Sequence, residues 1–166
     1  MGHSNIVLYE EEYQQIKTIL GRLNQEANAR VVFLVDKNGQ QIAACGEIEN
    51  LDTTSLASLT AGNVAATDGL AKLIGEKEFS ILFHEGERDN IHISLVGKRV
   101  ILVIIFDERS SLGLVRLRVK RASIELERVF DTIVKKVEME RQAQETGTAS
   151  PFAEITDEDI DNLFSS

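Results

Sequence analysis

Residues 100–106 read Val100-Ile101-Leu102-Val103-Ile104-Ile105-Phe106, an apolar run unbroken on either alternating face. A strand that is apolar on both faces belongs in the middle of a sheet covered from both sides. The rest of the chain must therefore supply flanking strands and two layers of helix. Upstream, Gly97-Lys98 is a turn, residues 91–96 are β-prone, and Gly86-Glu87-Arg88-Asp89-Asn90 is polar turn material after a third run at 79–85. Earlier still, residues 31–35 form a β-prone run that ends in Asp36-Lys37-Asn38-Gly39. Asn-Gly accepts positive φ at low cost, so this is a hairpin turn, with residues 41–45 as the returning strand. Cys45 reads as a small apolar filler there.

Helical spacing supplies the layers. Tyr13, Ile16, Leu20, Leu23 and Ala27 recur every three or four positions, behind Glu10-Glu11-Glu12, where a helix N-terminus favours negative charge. A second helix starts at Asp52 or Thr53 and runs to about Ile74, with an apolar comb of Leu56, Leu59, Ala66, Leu70 and Leu73. Another of its faces carries Gly62, Ala65 and Gly69, flanked by Ala61 and Asp68. A glycine inside a helix costs about 1 kcal/mol against alanine. Two of them call for a reason, and close approach of another backbone is one. A third helix follows Ser110-Ser111, with Val115, Val119, Ala122, Leu126, Val129 and Ile133 as its comb. The order α-β-β-α-β-β-β-α predicts an α/β (α+β) sandwich. Its five-stranded sheet is mostly antiparallel, with helices one and three on one face and helix two on the other.

Composition narrows function. The chain has 166 residues, 18 Lys+Arg, 27 Asp+Glu and a net charge of −9, with 43% apolar residues. That length supports one domain with a real core. The acidic balance disfavours nucleic acid as a partner. No apolar run approaches the ~20 residues of a membrane span, no secretory signal is visible, and a cytoplasmic protein is expected. A single cysteine excludes an internal disulfide and a multi-Cys zinc site, and His3, His84 and His92 are scattered, so no metal is expected. His84 and His92 read as surface residues of a hairpin, and Asp107-Glu108 as capping or loop groups. P-loop, Gly-x-Gly-x-x-Gly, Gly-x-Ser-x-Gly and His-Glu-x-x-His motifs are all absent. With no catalytic constellation and no expected cofactor, the chain reads as a binding or regulatory module, not an enzyme.

Charge is uneven. Residues 138–166 hold eight acids and one base, whereas residues 109–136 hold eight bases and three acids. The basic stretch is either a solvated helix face or an electrostatic docking surface. The expected organisation is a domain over 1–140, a flexible linker over 141–150, and an acidic amphipathic segment over 151–166. That segment spaces Phe152, Ile155, Ile160, Leu163 and Phe164 among acids, and Thr156 with Asp159 resembles a capping box. So short a helix is marginal alone. It would fold on a partner or pack back on its own domain.

Two stretches, VVFLVDKNGQQIAACGE and LDTTSLASLTAGNVAATDGLAKLIGE, together with the element order, resemble the Roadblock (dynein light-chain) family. The likeness covers about residues 8–137. EEEYQQIKTILGRLNQEANARVVFLVDKNGQ, FHEGERDNIHISLVGKRVILVIIF, SSLGLVRLR and the terminal SPFAEITDEDIDNLF resemble that family's bacterial polarity branch. The resemblance implies a homodimer in which the second helices pair antiparallel and the third strands join into one sheet. Gly62, Ala65, Gly69, Phe79, Ile81 and Phe83 would lie in that interface. It also implies a GTPase-activating protein for a GTP-bound small Ras-like GTPase, one per dimer, in cell polarity and gliding motility, with concentration at a cell pole. The paired helices would present Ala61, Ala65 and Gly69 as a flat platform, framed by Asp68 and Lys72. Alternatives are a Roadblock scaffold that dimerises without altering nucleotide turnover, or a guanine-nucleotide exchange factor. Arg109 is the candidate for an arginine supplied to the nucleotide, and ordering of the GTPase's own switch region is the preferred mechanism.

Overall fold

A computed structural model describes residues 9–146. They form α1 (Glu10–Glu26), β1 (Val31–Asp36), β2 (Gln41–Gly46), α2 (Thr53–Leu73), β3 (Ile81–Glu85), β4 (Asn90–Val96), β5 (Val100–Phe106) and α3 (Leu112–Thr146). All strand pairs are antiparallel, in the order β2-β1-β5-β4-β3. The apolar run at 100–106 is the central strand, and every residue in it is buried.

Register assigns side chains to faces, because directly opposed residues point the same way. Val31, Phe33, Val35, Ile101, Val103, Ile105 and Ile93 share one core with Ala57, Ala61 and Val64 of α2. The other face carries Val32 and Leu34 opposite Ile104 and Leu102, which in turn oppose His92 and Ser94, then Phe83 and Ile81. α1 and the start of α3 lie on that side and are tied to each other by an Arg22–Glu125 salt bridge at 3.0 Å. Ser110 Oγ also donates to the Ala27 carbonyl at the end of α1. Phe83 stacks on Phe106 with ring centroids 6.1 Å apart.

Local chemistry explains the ends of the elements. Asp36 Oδ1 accepts from the Asn38 and Gln40 amides at 2.8 and 3.0 Å, and Gly39 takes φ +90°. Asp52 caps α2 by accepting from the Ser55 amide at 3.0 Å, and its hydrogen bonds with Ser55 hold its carboxyl below the usual aspartate range. Tyr9 gives α1 no side-chain cap, and Glu10, Glu11 and Glu12 supply the favourable first-turn charge instead.

Three expectations change. β3 begins at Ile81, so Phe79 precedes the strand as a half-buried residue. His92 is buried rather than on the surface, because its register with Ile104 turns the ring to the α3 side. The expected linker starts inside a helix, since α3 continues through residues 141–146. Glu, Arg, Gln and Ala are good helix formers, so the helix outlasts its apolar comb. The chain divides into two compact units, Met1–Val129 with the whole sheet and Phe130–Ser166 with the last part of α3. Residues 151–166, and with them Phe152, Ile155, Ile160, Leu163 and Phe164, lie outside the described residues.

Candidate functional site

α2 is apolar on two opposite sides. Its inner side is Ala57, Thr60, Ala61, Val64 and Ala71, all buried. The Leu/Ala comb that sequence spacing suggested for the core is the outer side. Leu59 is 72% exposed, Leu70 57% and Leu73 84%, and Ala66 is exposed as well. Only Leu56 of that comb reaches the core, as a half-buried neighbour. A helix apolar all round is ordinarily buried all round. This one has nothing from the described residues over one side.

Gly62 and Gly69 fall on the same outer side. Neither has a positive φ, and a Cβ built on either would meet no atom within 4 Å. Nothing among the described residues calls for glycine at these two positions. Beside them, Ala65, Asp68 and Lys72 follow one another at helical spacing along one flank. Ala65 and Lys72 are exposed. Asp68 is half-buried, and its Oδ1 has no hydrogen-bond partner among the described residues. Ala61 continues this row inward and is 8% exposed, inside the core, so it is no part of an accessible platform.

The strand residues anticipated at an interface are dispersed. Ile81 is half exposed on the edge strand, Phe83 is partly covered by its stacking on Phe106, and Phe79 lies ahead of the strand. β3 is one of the two sheet edges, so its outer backbone groups have no described strand beside them. His84, on the α2 side of β3, sits 2.9 Å from Asn63 Nδ2 and ties the edge strand to α2.

Charged groups cluster at one end of the sheet. Arg30 pairs with Asp89 at 2.9 Å and Glu47 at 3.2 Å. Arg109 forms a two-pronged contact with Asp107, through Nε and Nη2 at 3.0 Å, and reaches Glu47 at 3.2 Å. These hydrogen bonds push the Arg109 guanidinium pKa up and hold the Asp107 carboxyl below its usual range. Arg109 is thus tethered within its own chain and is not extended on a loose loop. Among the described residues, no His/Cys/Asp/Glu group is placed to hold a metal ion, and no helix is long and apolar enough to cross a membrane.

Residues 15–106 match the Roadblock/LC7 domain. Myxococcus xanthus MglB is similar, with 61% identity and a TM-score of 0.73 over 76% of this chain and 96% of that one. The gliding protein MglB from Thermus thermophilus is similar at 37% identity and a TM-score of 0.73, over 77% of this chain and 97% of that one. A structure described as MglB with a tetrameric arrangement is 35% identical, with a TM-score of 0.74 over 78% of this chain and 97% of that one. No curated protein matches the chain. The central apolar strand, the helix order and the matched span all agree that the chain belongs to the Roadblock/LC7 domain family.

Proposed function

We propose that the protein is a GTPase-activating protein for a small Ras-like GTPase, and that it works as a homodimer. The observation that carries this reading is the outer side of α2. Leu59, Leu70 and Leu73 leave a stripe of exposed apolar surface there, and Gly62 and Gly69 leave room for a second backbone. Two copies of α2 laid antiparallel cover part of that stripe, and the free edges of β3 extend the sheet from one copy to the other. The remaining floor, with Ala65, Gly69, Asp68 and Lys72, receives one GTP-bound GTPase per dimer. The similarity to MglB proteins and the family resemblance support a role in bacterial polarity and motility.

Activation proceeds by ordering. The platform holds the GTPase's switch region in its hydrolysis-competent arrangement, and the GTPase's own residues position water and stabilise charge. The tethered state of Arg109 favours this over an inserted arginine. The same tether also suits a second reading, a light-chain-like scaffold that binds without changing turnover. The acidic segment at 151–166 acts as a second grip on the partner.

Phosphate release by the small Ras-like GTPase of the same organism, with and without this protein, separates these readings. Stimulated release supports activation. Binding without stimulation establishes the scaffold, and accelerated release of labelled GDP establishes an exchange factor. Removing residues 151–166 is expected to weaken binding, and unchanged affinity would reject the second grip.

A further inference from the structure

Among the described residues, α1 and α3 cover their sheet face incompletely near its β3 edge. A groove of about 530 Å3 opens there between the β3–β4 hairpin and α3. Its floor holds His92 and Ser94, 1% and 5% exposed. Neither ring nitrogen of His92 nor the Ser94 hydroxyl has a hydrogen-bond partner among the described residues. Buried polar groups are nearly always satisfied, so two adjacent orphans opening on one groove call for a polar partner, a role a bound oxyanion can fill. Ile81, Val119 and Ile124 form apolar walls, and Arg116 and Lys120 stand exposed at the rim. No acid lines the groove, and neither cation forms a salt bridge with a described residue.

The chemistry of the lining selects the ligand. Burial, and then the nearby Arg116 charge, hold the His92 imidazole below the usual histidine range. At neutral pH it is an uncharged ring with one N–H to donate, beside a serine hydroxyl that also donates. Two donors on the floor and two cations above them suit a doubly charged oxyanion. The apolar walls suit a short hydrocarbon attached to it. A groove of this size takes a small molecule rather than a folded domain.

We propose that this groove binds a soluble phosphate monoester carrying a short apolar body. The phosphoryl oxygens accept from His92, Ser94, Arg116 and Lys120, and the body lies against Ile81, Val119 and Ile124. The site is on the opposite sheet face from α2 and stands independently of the GTPase reading.

The test is a titration of the isotope-labelled full chain with n-butyl phosphate, followed by NMR. Saturable shifts confined to the β3–β4 hairpin and the first half of α3 are expected, with the His92 ring pKa rising on binding. Arg116→Gln/Lys120→Gln, on exposed positions, is expected to weaken binding at least tenfold. Ser94→Ala is expected to weaken it several-fold. Inorganic phosphate and n-butanol, each lacking half of the ligand, are expected to bind at least tenfold more weakly. Shifts that do not saturate, equal affinity for inorganic phosphate, or unchanged affinity in the double variant would overturn the proposal. So would binding to phosphatidic acid vesicles with none to n-butyl phosphate, since that places the site on a membrane surface.

Discussion

His92 sits opposite Ile104, so its imidazole shares the buried face of the central strand. Burial disfavours its charged form in the folded chain, whereas the unfolded chain protonates it near the ordinary histidine pKa of about 6.5. The unfolded state therefore binds more protons as pH falls through that value, and stability drops between pH 7 and 5. His92→Leu removes this component. Urea midpoints across that range should fall less steeply in the variant than in the wild type, and parallel slopes would contradict the assignment. Replacing the orphan ring with an apolar group of similar size is also expected to leave stability at pH 7 unchanged or raised. At this scale the sequence disclosed what is local. The Asp36–Gly39 turn and the Asp52 cap depend only on near neighbours, and both appear as their residue types imply. The placement of His92 depends on strand register, which no local pattern states.

α2 carries two apolar stripes, and periodicity alone ranks the one with larger residues as the core. Leu59, Leu70 and Leu73 are instead outside, and Ala57, Ala61 and Ala71 are buried on the inner side. A core is chosen by which side the rest of the chain covers, and periodicity within one helix does not carry that information. Gly62 and Gly69 lie on the outer side with open space around each, so the packing reason expected for them falls to the proposed second copy. The central strand was fully legible, since an apolar run on both faces has one place in a sheet. Two neighbouring alanines distinguish the stripes experimentally. Ala61→Arg forces a charge into the core and is expected to cost more than about 3 kcal/mol in urea unfolding. Ala65→Arg lies outside and is expected to change the stability of the dilute protein by less than about 0.5 kcal/mol while abolishing pull-down of the GTPase. Normal pull-down by Ala65→Arg would refute the platform.

At the scale of the whole chain, the strand order and two helical layers leave one side of α2 and the outer edge of β3 uncovered by the described residues. The end cluster of Arg30, Glu47, Asp89, Asp107 and Arg109 fastens the ends of β1, β2 and β5 to the β3–β4 turn. Arg109→Ala is accordingly expected to keep stimulated GTP hydrolysis within about threefold of the wild type. A loss near the ~1000-fold worth of a supplied arginine, with binding intact, would install Arg109 as that arginine. Recognition at the level of family was available from the sequence because it depends on many positions at once. Which side of α2 each small residue takes was not available from sequence, since Ala61 and Ala65 differ solely in which way they turn. Sedimentation velocity of the full chain beside Leu70→Glu/Leu73→Glu bears most directly on the claim that two α2 helices share a floor. The wild type should sediment at twice its 18.4 kDa chain mass, and the variant as a folded single chain. A wild type that is monomeric at every working concentration, or a variant that associates equally well, would contradict it.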